Sequence, residues 1–223
     1  MNSTIIKYGV FLLGIYVGYA QDIYVETSLS SASIEEFKND QGENTLDNKY
    51  SKPVELGIGA GLIFNITNNQ RLKWDLGVNY TNYKINTSIA TSNAPIVTQY
   101  NLNYVTFKTG PYFSVVNHSR IKLQLHAHNS LDFLIFGSNE YRDVYVDLAR
   151  TENFSRLVSN YHYGATFEIV LSDYNSLYVS YDSKNSITDT IEADQSYKLS
   201  VTSILMGFRF KLFSKPDNNN TNK

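Results

Sequence analysis

Residues 53–65 read PVELGIGAGLIFN, and this stretch decides how the fold is interpreted. Its even positions, from Val54 to Phe64, are apolar, whereas its odd positions carry mainly Glu55, Asn65 and three glycines. Alternation with a period of two is typical of a β-strand that separates two environments. An amphipathic helix would instead repeat its apolar residues every three or four positions. The stretch therefore predicts a strand with one apolar face and one polar face of small residues.

The same alternation recurs along the chain, for example in RLKWDLGVNYT at 71–81 and in IKLQLHAHNSLDF at 121–133. Counting such segments predicts eight strands, at residues 22–30, 53–65, 71–84, 99–116, 120–135, 156–171, 176–184 and 196–213. The connections between them are alternately short and long. In an antiparallel up-and-down meander this gathers the short turns at one end and the long loops, including 31–52 and 136–155, at the other.

Alternation alone fits two architectures, a soluble lipocalin-type barrel with its apolar face inward and a membrane barrel with its apolar face outward. The glycines distinguish between them. Seven glycines fall on the polar faces of the predicted strands, namely Gly57, Gly59, Gly61, Gly77, Gly110, Gly164 and Gly207. Because an eight-stranded barrel is narrow, its concave face favours small residues. We therefore expect the polar face to line the lumen and the apolar face to contact lipid.

Charged residues of both signs share the polar face, so we expect them to pair inside the lumen. The acids expected there are Glu26, Glu55, Asp75, Asp132, Glu168 and Asp182. The bases expected there are Arg71, Lys73, Lys108, Arg120, Lys122, Arg156, Lys198, Arg209 and Lys211. Aromatic residues on the other face, among them Trp74, Tyr80 and Phe133, are predicted to form interfacial girdles.

Composition and the chain ends exclude several classes of protein. The 223-residue chain has a formal net charge of -2, which provides no basic field for nucleic acid, and it has no cysteine for disulfides or thiolate metal sites. Residues 1–20 combine Lys7 with an apolar run of signal length and are predicted to be a signal peptide cleaved ahead of Gln21. Residues 21–213 are the predicted barrel domain, and residues 214–223 are a predicted disordered polar tail.

The last predicted strand, SILMGFRFKLF at 203–213, alternates apolar residues and ends in phenylalanine. With the signal sequence and the eight strands, it resembles the outer-membrane β-barrel domain family, in the style of PorT-like and small OmpX-type barrels, over residues 21–213. YVTFKTGPYF at 104–113 departs from the Ile-Pro-Leu-like core of relatives because its proline is displaced. The resemblance implies an all-β, eight-stranded antiparallel transmembrane barrel with short periplasmic turns and long extracellular loops in a Gram-negative outer membrane.

Three histidines form the first constellation that suggests chemistry. His126, His128 and His162 are expected on the inner faces of two neighbouring strands, and a hairpin centred on the loop 136–155 would bring His128 close to His162. With Asp132 or Glu168 nearby, three imidazoles would suit Zn²⁺. The alternative, which we expect, is a hydrogen-bonded lumen lining without metal or cofactor.

His128, Ser130 and Glu140 form the second constellation. They resemble the histidine, serine and glutamate of lipid A deacylases of the PagL type, which are eight-stranded barrels. The resemblance implies His128 as base, Ser130 as nucleophile and Glu140 as orienting acid. Two features depart from it. Those enzymes have asparagine after the serine, whereas Asn129 precedes Ser130, and their triad faces lipid, whereas His128 and Ser130 are expected inside.

A narrow lumen filled with charged and aromatic side chains is not expected to conduct solutes as a porin does. We expect a non-enzymatic, monomeric barrel, surrounded by outer-membrane lipid, that acts structurally or binds a surface or periplasmic protein through its loops. One alternative is an outer-membrane enzyme acting on lipid A or phospholipid. The other is a small channel or export-system accessory, which the PorT-like resemblance implies.

Overall fold

A single antiparallel sheet that closes on itself makes up the described part of the chain. The computed structural model describes residues 22–38, 46–47, 53–89, 96–141, 144–148, 156–187, 190–192 and 195–212. The strands are β1 (Asp22–Lys38), β2 (Leu46–Asp47), β3 (Val54–Asn65), β4 (Leu72–Ile89), β5 (Ile96–Asn117), β6 (Ile121–Tyr141), β7 (Val144–Asp147), β8 (Leu157–Val170), β9 (Asn175–Ser186), β10 (Thr190–Glu192) and β11 (Gln195–Lys211). The predicted signal peptide and polar tail lie outside the described residues. Among the described residues, no helix is long and apolar enough to cross a membrane.

Eight of these strands are long and form the barrel. Each long strand pairs with the next one along the chain, and β1 closes the barrel on β11 from Asp22↔Lys211 to Lys38↔Ser196. The short strands β2, β7 and β10 pair with β4, β6 and β11 at the loop end. Closure lets neighbouring strands satisfy each other's backbone polar groups, which the interior of a membrane requires. The predicted eight-stranded up-and-down barrel is confirmed.

The outer face of the barrel is apolar around most of its circumference. Its exposed side chains include Val25, Leu29, Leu56, Ile58, Trp74, Val78, Phe107, Leu125, Leu131, Phe133, Phe167, Val179, Tyr181, Ile204 and Phe208. Leu56 and Ile58 are 67% and 65% exposed, although a water-soluble barrel would bury such residues inside. The predicted outward orientation of the apolar face, including its aromatic residues, is confirmed.

The inner face carries the glycines that the sequence placed there. An added Cβ at Gly61 would meet Tyr24, one at Gly110 would meet His128, and one at Gly164 would meet His126. The other four strand glycines also lie against inward side chains. Small residues on the concave face therefore make room for the large side chains that cross the lumen.

Not every charge predicted for the lumen lies there. Arg71, Arg120 and Arg156 are exposed at the ends of their strands, where a long side chain can reach water. Glu55 is half-buried, and its Oε1 lies 3.1 Å from Nζ of Lys84, which is on the outer face. The prediction was wrong for the three arginines because alternation no longer determines orientation once a strand has ended.

The polarity of the two faces reverses toward the loop end. On β4, the outward positions are apolar up to Tyr80 and polar from Asn82. On β5, which runs the other way, the outward positions are polar up to Asn103 and apolar from Val105, at the same level of the barrel. Beyond this polarity switch lies the part of the barrel that we call the stem (residues 82–89 and 96–103 with the adjoining strand ends). Its outward residues are polar on β4 at 82, 84 and 86 and on β5 at 99, 101 and 103, whereas Ile135 and Phe136 on β6 remain exposed and apolar. Its interior is a cluster of buried residues that we call the apolar plug, formed by Ala32, Tyr83, Ile85, Tyr100, Leu102, Tyr104, Leu134, Leu148, Val158, Leu199 and Val201.

The stem also explains why several strands are longer than predicted. β6 continues to Tyr141, and its last residues pair with β7. This end of β6 and the whole of β7 lie inside the stretch 136–155 that was predicted as a loop. Leu148, just beyond β7, is completely buried, and its N–H donates to the carbonyl of Gly137 at 2.9 Å. Because the alternation changes phase at the polarity switch, the sequence pattern suggested strand ends where the strands continue.

Candidate functional site

Below the apolar plug, the lumen is filled by ion pairs in layers, beginning at the turn end. Lys73 pairs with Asp22 at 3.2 Å, and Glu168 accepts from Lys122 at 3.1 Å and from Arg209 at 2.5 Å. The guanidinium of Arg209 also lies over the rings of Tyr112 and Tyr178, 5.2 and 4.7 Å from their centroids. These side chains come from seven strands, so this layer ties opposite walls of the barrel together.

Glu26 is the centre of the next layer. Its Oε1 accepts from Lys108 Nζ at 2.7 Å and from Asn79 Nδ2 at 2.9 Å, and its Oε2 accepts from the hydroxyl of Tyr178 at 2.7 Å. All of these groups are inward on β1, β4, β5 and β9. A buried carboxylate with three donors and one cationic partner is satisfied, so this layer is structural.

The histidines occupy the layer beyond Glu26, and they share one carboxylate. Asp182 Oδ1 lies 3.1 Å from His126 Nε2, while Asp182 Oδ2 lies 2.8 Å from His162 Nδ1. His128 pairs directly with His162 across β6 and β8, which confirms the proximity that the sequence predicted. The rings of His126 and His128 are stacked, with centroids 4.9 Å apart and planes inclined by 14°.

His128 and Asp75 approach each other, and each of the two side chains has an unsatisfied atom. His128 Nε2 lies 3.6 Å from Asp75 Oδ2, which is longer than a hydrogen bond, and has no hydrogen-bond partner. Asp75 Oδ2 accepts from the hydroxyl of Tyr24 at 3.3 Å, but Asp75 Oδ1 is also without a partner. Both side chains are buried, Asp75 completely. The described lumen therefore contains one contacting pair with an unsatisfied atom on each partner, besides single unsatisfied atoms on Asn79, Tyr104 and Arg209.

Two glycines allow the imidazoles to lie flat against the barrel wall. A Cβ at Gly110 would overlap the backbone of Ala127 and His128, and a Cβ at Gly164 would overlap the carbonyl of Tyr181 and the ring of His126. The ring of Tyr112 then packs on the other side, with its centroid 5.1 Å from His126 and 5.0 Å from His128. Both imidazoles thus occupy space that is available because Gly110 and Gly164 have no side chain.

The predicted triad of His128, Ser130 and Glu140 is not assembled. Glu140 is exposed, pairs with Gln99 and Tyr145, and lies twelve residues beyond His128 on the same strand, roughly 40 Å away at about 3.3 Å per residue. Ser130 does face the lumen, but its Oγ lies 2.8 Å from Nε2 of His162. The triad does not form because His128 and Glu140 lie far apart on one extended strand, which cannot fold back on itself to bring them together.

A different arrangement of the same residue types is formed. Ser130 Oγ, His162 and Asp182 follow one another with separations of 2.8 Å at both contacts, in the order of a Ser-His-Asp triad. Asp182 was expected to face the lumen, but nothing in the sequence indicated that it would be the partner of a histidine. The signal that was available is its inward parity on the strand next to His162.

The predicted carboxylates for a metal site are used elsewhere. Asp132 forms an ion pair with Lys184 and accepts from Thr106 at 2.8 Å. Glu168 is occupied by Lys122 and Arg209 in the turn-end layer. Asp182 is the carboxylate that lies near the histidines instead, since potential ligand atoms of His126, His128 and Asp182 all lie within 4.8 Å of one another. His162 orients Asp182 from the other side and also contacts Ser130.

A small cavity of about 30 Å³ adjoins the histidine layer. Its lining includes Ser28, Ser30, Asn79, Lys108, His162 and Asp182. A water molecule needs at least about 10–15 Å³ measured in this way, so the cavity has space for one or two water molecules. It has no space for an acyl chain or a peptide.

An apolar exterior around a closed barrel with a charged, hydrogen-bonded interior reverses the arrangement of a water-soluble barrel. This chain is a membrane β-barrel of the outer-membrane type. No protein-family model matches the sequence, and no curated protein does.

Solved structures with a similar fold include three bacterial proteins. Neisserial surface protein A shares 14% sequence identity at a TM-score of 0.49, over 85% of this chain and 96% of that chain. The attachment invasion locus protein Ail of Yersinia pestis shares 11% at a TM-score of 0.40, over 86% and 99%. The outer membrane protein OprG from Pseudomonas aeruginosa shares 10% at a TM-score of 0.44, over 88% and 98%. These similarities concern the fold alone.

Proposed function

We propose that this chain is a non-enzymatic, monomeric barrel of the Gram-negative cell outer membrane that binds a protein partner through its loop end. The observation that carries the proposal is the stem. β4, β5 and β6 have 18, 22 and 21 residues, whereas about 9–11 residues of a tilted strand cross a bilayer. The residues beyond the polarity switch are therefore expected to project from the membrane as a rigid platform for the long loops.

The outer surface of the stem supports this role. Asn82 Nδ2 donates to Oδ1 of both Asn101 and Asn103, at 3.0 and 2.8 Å, and the hydroxyl of Tyr80 donates to Asn103 at 3.0 Å. Such a polar, ordered surface suits contact with water or with a protein and does not suit lipid. The apolar plug inside the stem keeps this platform from collapsing.

Photo-crosslinking in whole cells tests the proposal. A photoreactive residue at Asn86, on the outer face of the stem, is expected to yield a discrete protein adduct that is absent without irradiation. The matched control is Val78, which lies on the same face of the same strand below the polarity switch and should give only lipid adducts. Adducts with protein at Val78 alone, or at neither position, would contradict a partner-binding stem.

A transport function is the first alternative, and the filled lumen opposes it. The apolar plug lies at one end, and below it Glu26, Asp132 and Glu168 are each ion-paired with a side chain from another strand. We therefore expect the folded protein to produce no stepwise conductance in planar bilayers. Reproducible single-channel conductance steps from pure protein would favour a channel function instead.

The Ser130–His162–Asp182 arrangement is the specific observation that favours a second candidate, a lipid hydrolase. Against it, Ser130 is 3% exposed and faces a lumen whose nearest cavity holds only water. A nucleophile must reach its substrate, so we expect mass spectra of lipid A and phospholipid to be the same in cells carrying wild-type protein and Ser130→Ala. A change in acyl-chain number that depends on Ser130 would establish the enzyme.

A further inference from the structure

We propose that the lumen of this barrel binds one divalent transition-metal ion of the Zn²⁺ class, held by His126, His128 and Asp182, with Asp75 as the fourth protein donor beside His128. This site lies within the membrane-spanning part of the barrel. It is independent of the partner-binding function proposed for the stem.

The donor atoms already have nearly the spacing that a metal ion requires. With zinc–ligand bonds of about 2.0–2.1 Å, tetrahedral geometry places neighbouring ligand atoms about 3.3 Å apart. His126 Nε2 and Asp182 Oδ1 are 3.1 Å apart, and His128 Nε2 and Asp75 Oδ2 are 3.6 Å apart. The three-residue group spans at most 4.8 Å, so small side-chain rotations close it around an ion.

The unsatisfied atoms point independently to a bound cation. His128 Nε2 and Asp75 Oδ1 are buried without a hydrogen-bond partner on two side chains that approach each other to 3.6 Å. The other unsatisfied lumen atoms, on Asn79, Tyr104 and Arg209, do not form such a pair of a lone-pair donor and a carboxylate. A buried polar atom without a partner typically costs about 1–3 kcal/mol. An imidazole lone pair facing a carboxylate is stabilised by a positive charge between them, which a metal ion supplies.

The charge balance of the surrounding layers also favours a cation. The lumen cations closest in the network already have carboxylate partners, since Lys108 pairs with Glu26 and Lys184 pairs with Asp132. Asp75 and Asp182 contribute two further buried carboxylates that contact histidines and a tyrosine. Buried charges need compensation, and a bound cation would supply it beside these two carboxylates. Two imidazoles and carboxylate oxygens are donors that zinc commonly uses.

Outer groups hold these donors in place, as they do in metal sites generally. His162 Nδ1 contacts Asp182 Oδ2 at 2.8 Å, which leaves Oδ1 directed at His126. On the far side of its ring, His126 Nδ1 lies 3.4 Å from Thr166 Oγ1, so its Nε2 is free to be the ligating nitrogen. Gly110 and Gly164 provide the space in which the two rings lie, because a Cβ at either position would overlap His128 or His126.

The direct experiment loads the full chain, folded in detergent, with Zn²⁺ alone and measures bound metal per chain after removal of free ion. We expect one Zn²⁺ per folded chain, and an absorption spectrum typical of tetrahedral Co²⁺ when Co²⁺ is used as the probe. Folding in the presence of the ion ensures that access through the lumen does not limit loading. A folded barrel that retains no Zn²⁺ or Co²⁺ would overturn the proposal.

Matched variants locate the site. His128→Ala and Asp182→Asn are expected to weaken Zn²⁺ binding at least about tenfold. The control is His118→Ala, because His118 lies in an exposed turn and its loss should leave affinity unchanged. Unchanged binding in His128→Ala, or loss of binding in His118→Ala, would place the metal elsewhere. Heat-modifiable gel migration verifies that each variant is folded.

If a variant does not fold, a second measurement on the wild-type barrel still tests the site. X-ray absorption at the zinc edge is expected to report four nitrogen or oxygen ligands that include two imidazoles. A spectrum with fewer than two imidazoles, or that of the hydrated ion, would contradict the assignment without any substitution.

Discussion

Glu26 shows, at the scale of single residues, how a membrane barrel keeps charge in its interior. The carboxylate accepts from Lys108, Tyr178 and Asn79, which lie on three other strands. Removing one member of such a buried pair leaves the other charge uncompensated, which typically costs about 3–5 kcal/mol. An ion pair in contact with water is typically worth at most about 1 kcal/mol.

Glu26→Ala is therefore expected to lower the free energy of unfolding by about 3 kcal/mol or more, because Lys108 loses its partner in a closed space. Glu55→Ala is the control, since both Glu55 and its partner Lys84 are partly exposed to solvent, and its loss should cost under about 1 kcal/mol. Urea unfolding in lipid vesicles, followed by tryptophan fluorescence, measures both values. Equal losses would show that the lumen pairs are hydrated.

Gly164 provides a second residue-scale test, because its inner surface touches backbone. A Cβ there would overlap the carbonyl of Tyr181 and the ring of His126, so Gly164→Ala is expected to cost about 1–3 kcal/mol by overpacking. At Gly59 the nearest atoms belong only to the side chain of Asn79, which can move. Gly59→Ala should thus cost less in the same unfolding assay, and a larger loss at Gly59 would contradict the packing described.

At the scale of elements, the important feature is a change of phase within continuous strands. β4 runs from Leu72 to Ile89 without interruption, yet its outward residues change from apolar to polar between Tyr80 and Asn82. β5 changes at the level that pairs with it, where Asn82 faces Asn103. The next strand, β6, still exposes Ile135 and Phe136 beside Asn103, so the switch marks where the apolar outer face ends on β4 and β5.

A cation placed on either side of the switch tests this boundary. Val78→Arg puts a charge on the lipid-facing part of β4 and is expected to cost about 2–4 kcal/mol if Val78 lies near the bilayer midplane. Asn86→Arg, on the same face of the same strand in the stem, is expected to cost less than about 1 kcal/mol. The folding yield and the free energy of unfolding in vesicles would be measured for both variants. Equal costs would show that β4 has no boundary between a lipid-facing part and a water-facing part.

At the scale of the whole molecule, closure of β1 on β11 makes the barrel one cooperative unit. The seam contains sixteen paired positions, from Asp22↔Lys211 to Lys38↔Ser196, with one irregularity between Ile34 and Glu36. Ladder hydrogen bonds across it have no substitute in lipid, where each unsatisfied backbone group costs several kcal/mol. The seam must therefore form for any other strand to be stable in the membrane.

Met206→Pro tests closure. Met206 pairs with Thr27 in the middle of the seam, and proline removes a backbone donor there while its side chain remains on the outer face. We expect loss of the heat-modifiable folded band on gels. Met206→Val keeps the donor and should retain that band. A folded, heat-modifiable proline variant would show that the seam is dispensable.

Much of the architecture follows from the sequence alone. Alternation at 53–65 and 121–133 predicted the strands, and the glycines at positions such as Gly77 and Gly110 predicted which face is concave. Both inferences are local: side chains alternate because of the pleat, and small residues are favoured where the wall curves inward. A hairpin centred on 136–155 was expected to bring His128 close to His162, and the register that does so is seen in the structure.

What only the tertiary structure decided is which side chains meet across the lumen. Asp182 joins His126 and His162, and Asp75 approaches His128, although the sequence suggested Asp132 and Glu168 as their carboxylates. The local pattern determines that a residue points inward, but strand tilt and stagger determine the height at which it arrives. The apolar plug was missed for a related reason, since period-two alternation reports two different environments without saying which of them is water, lipid or protein.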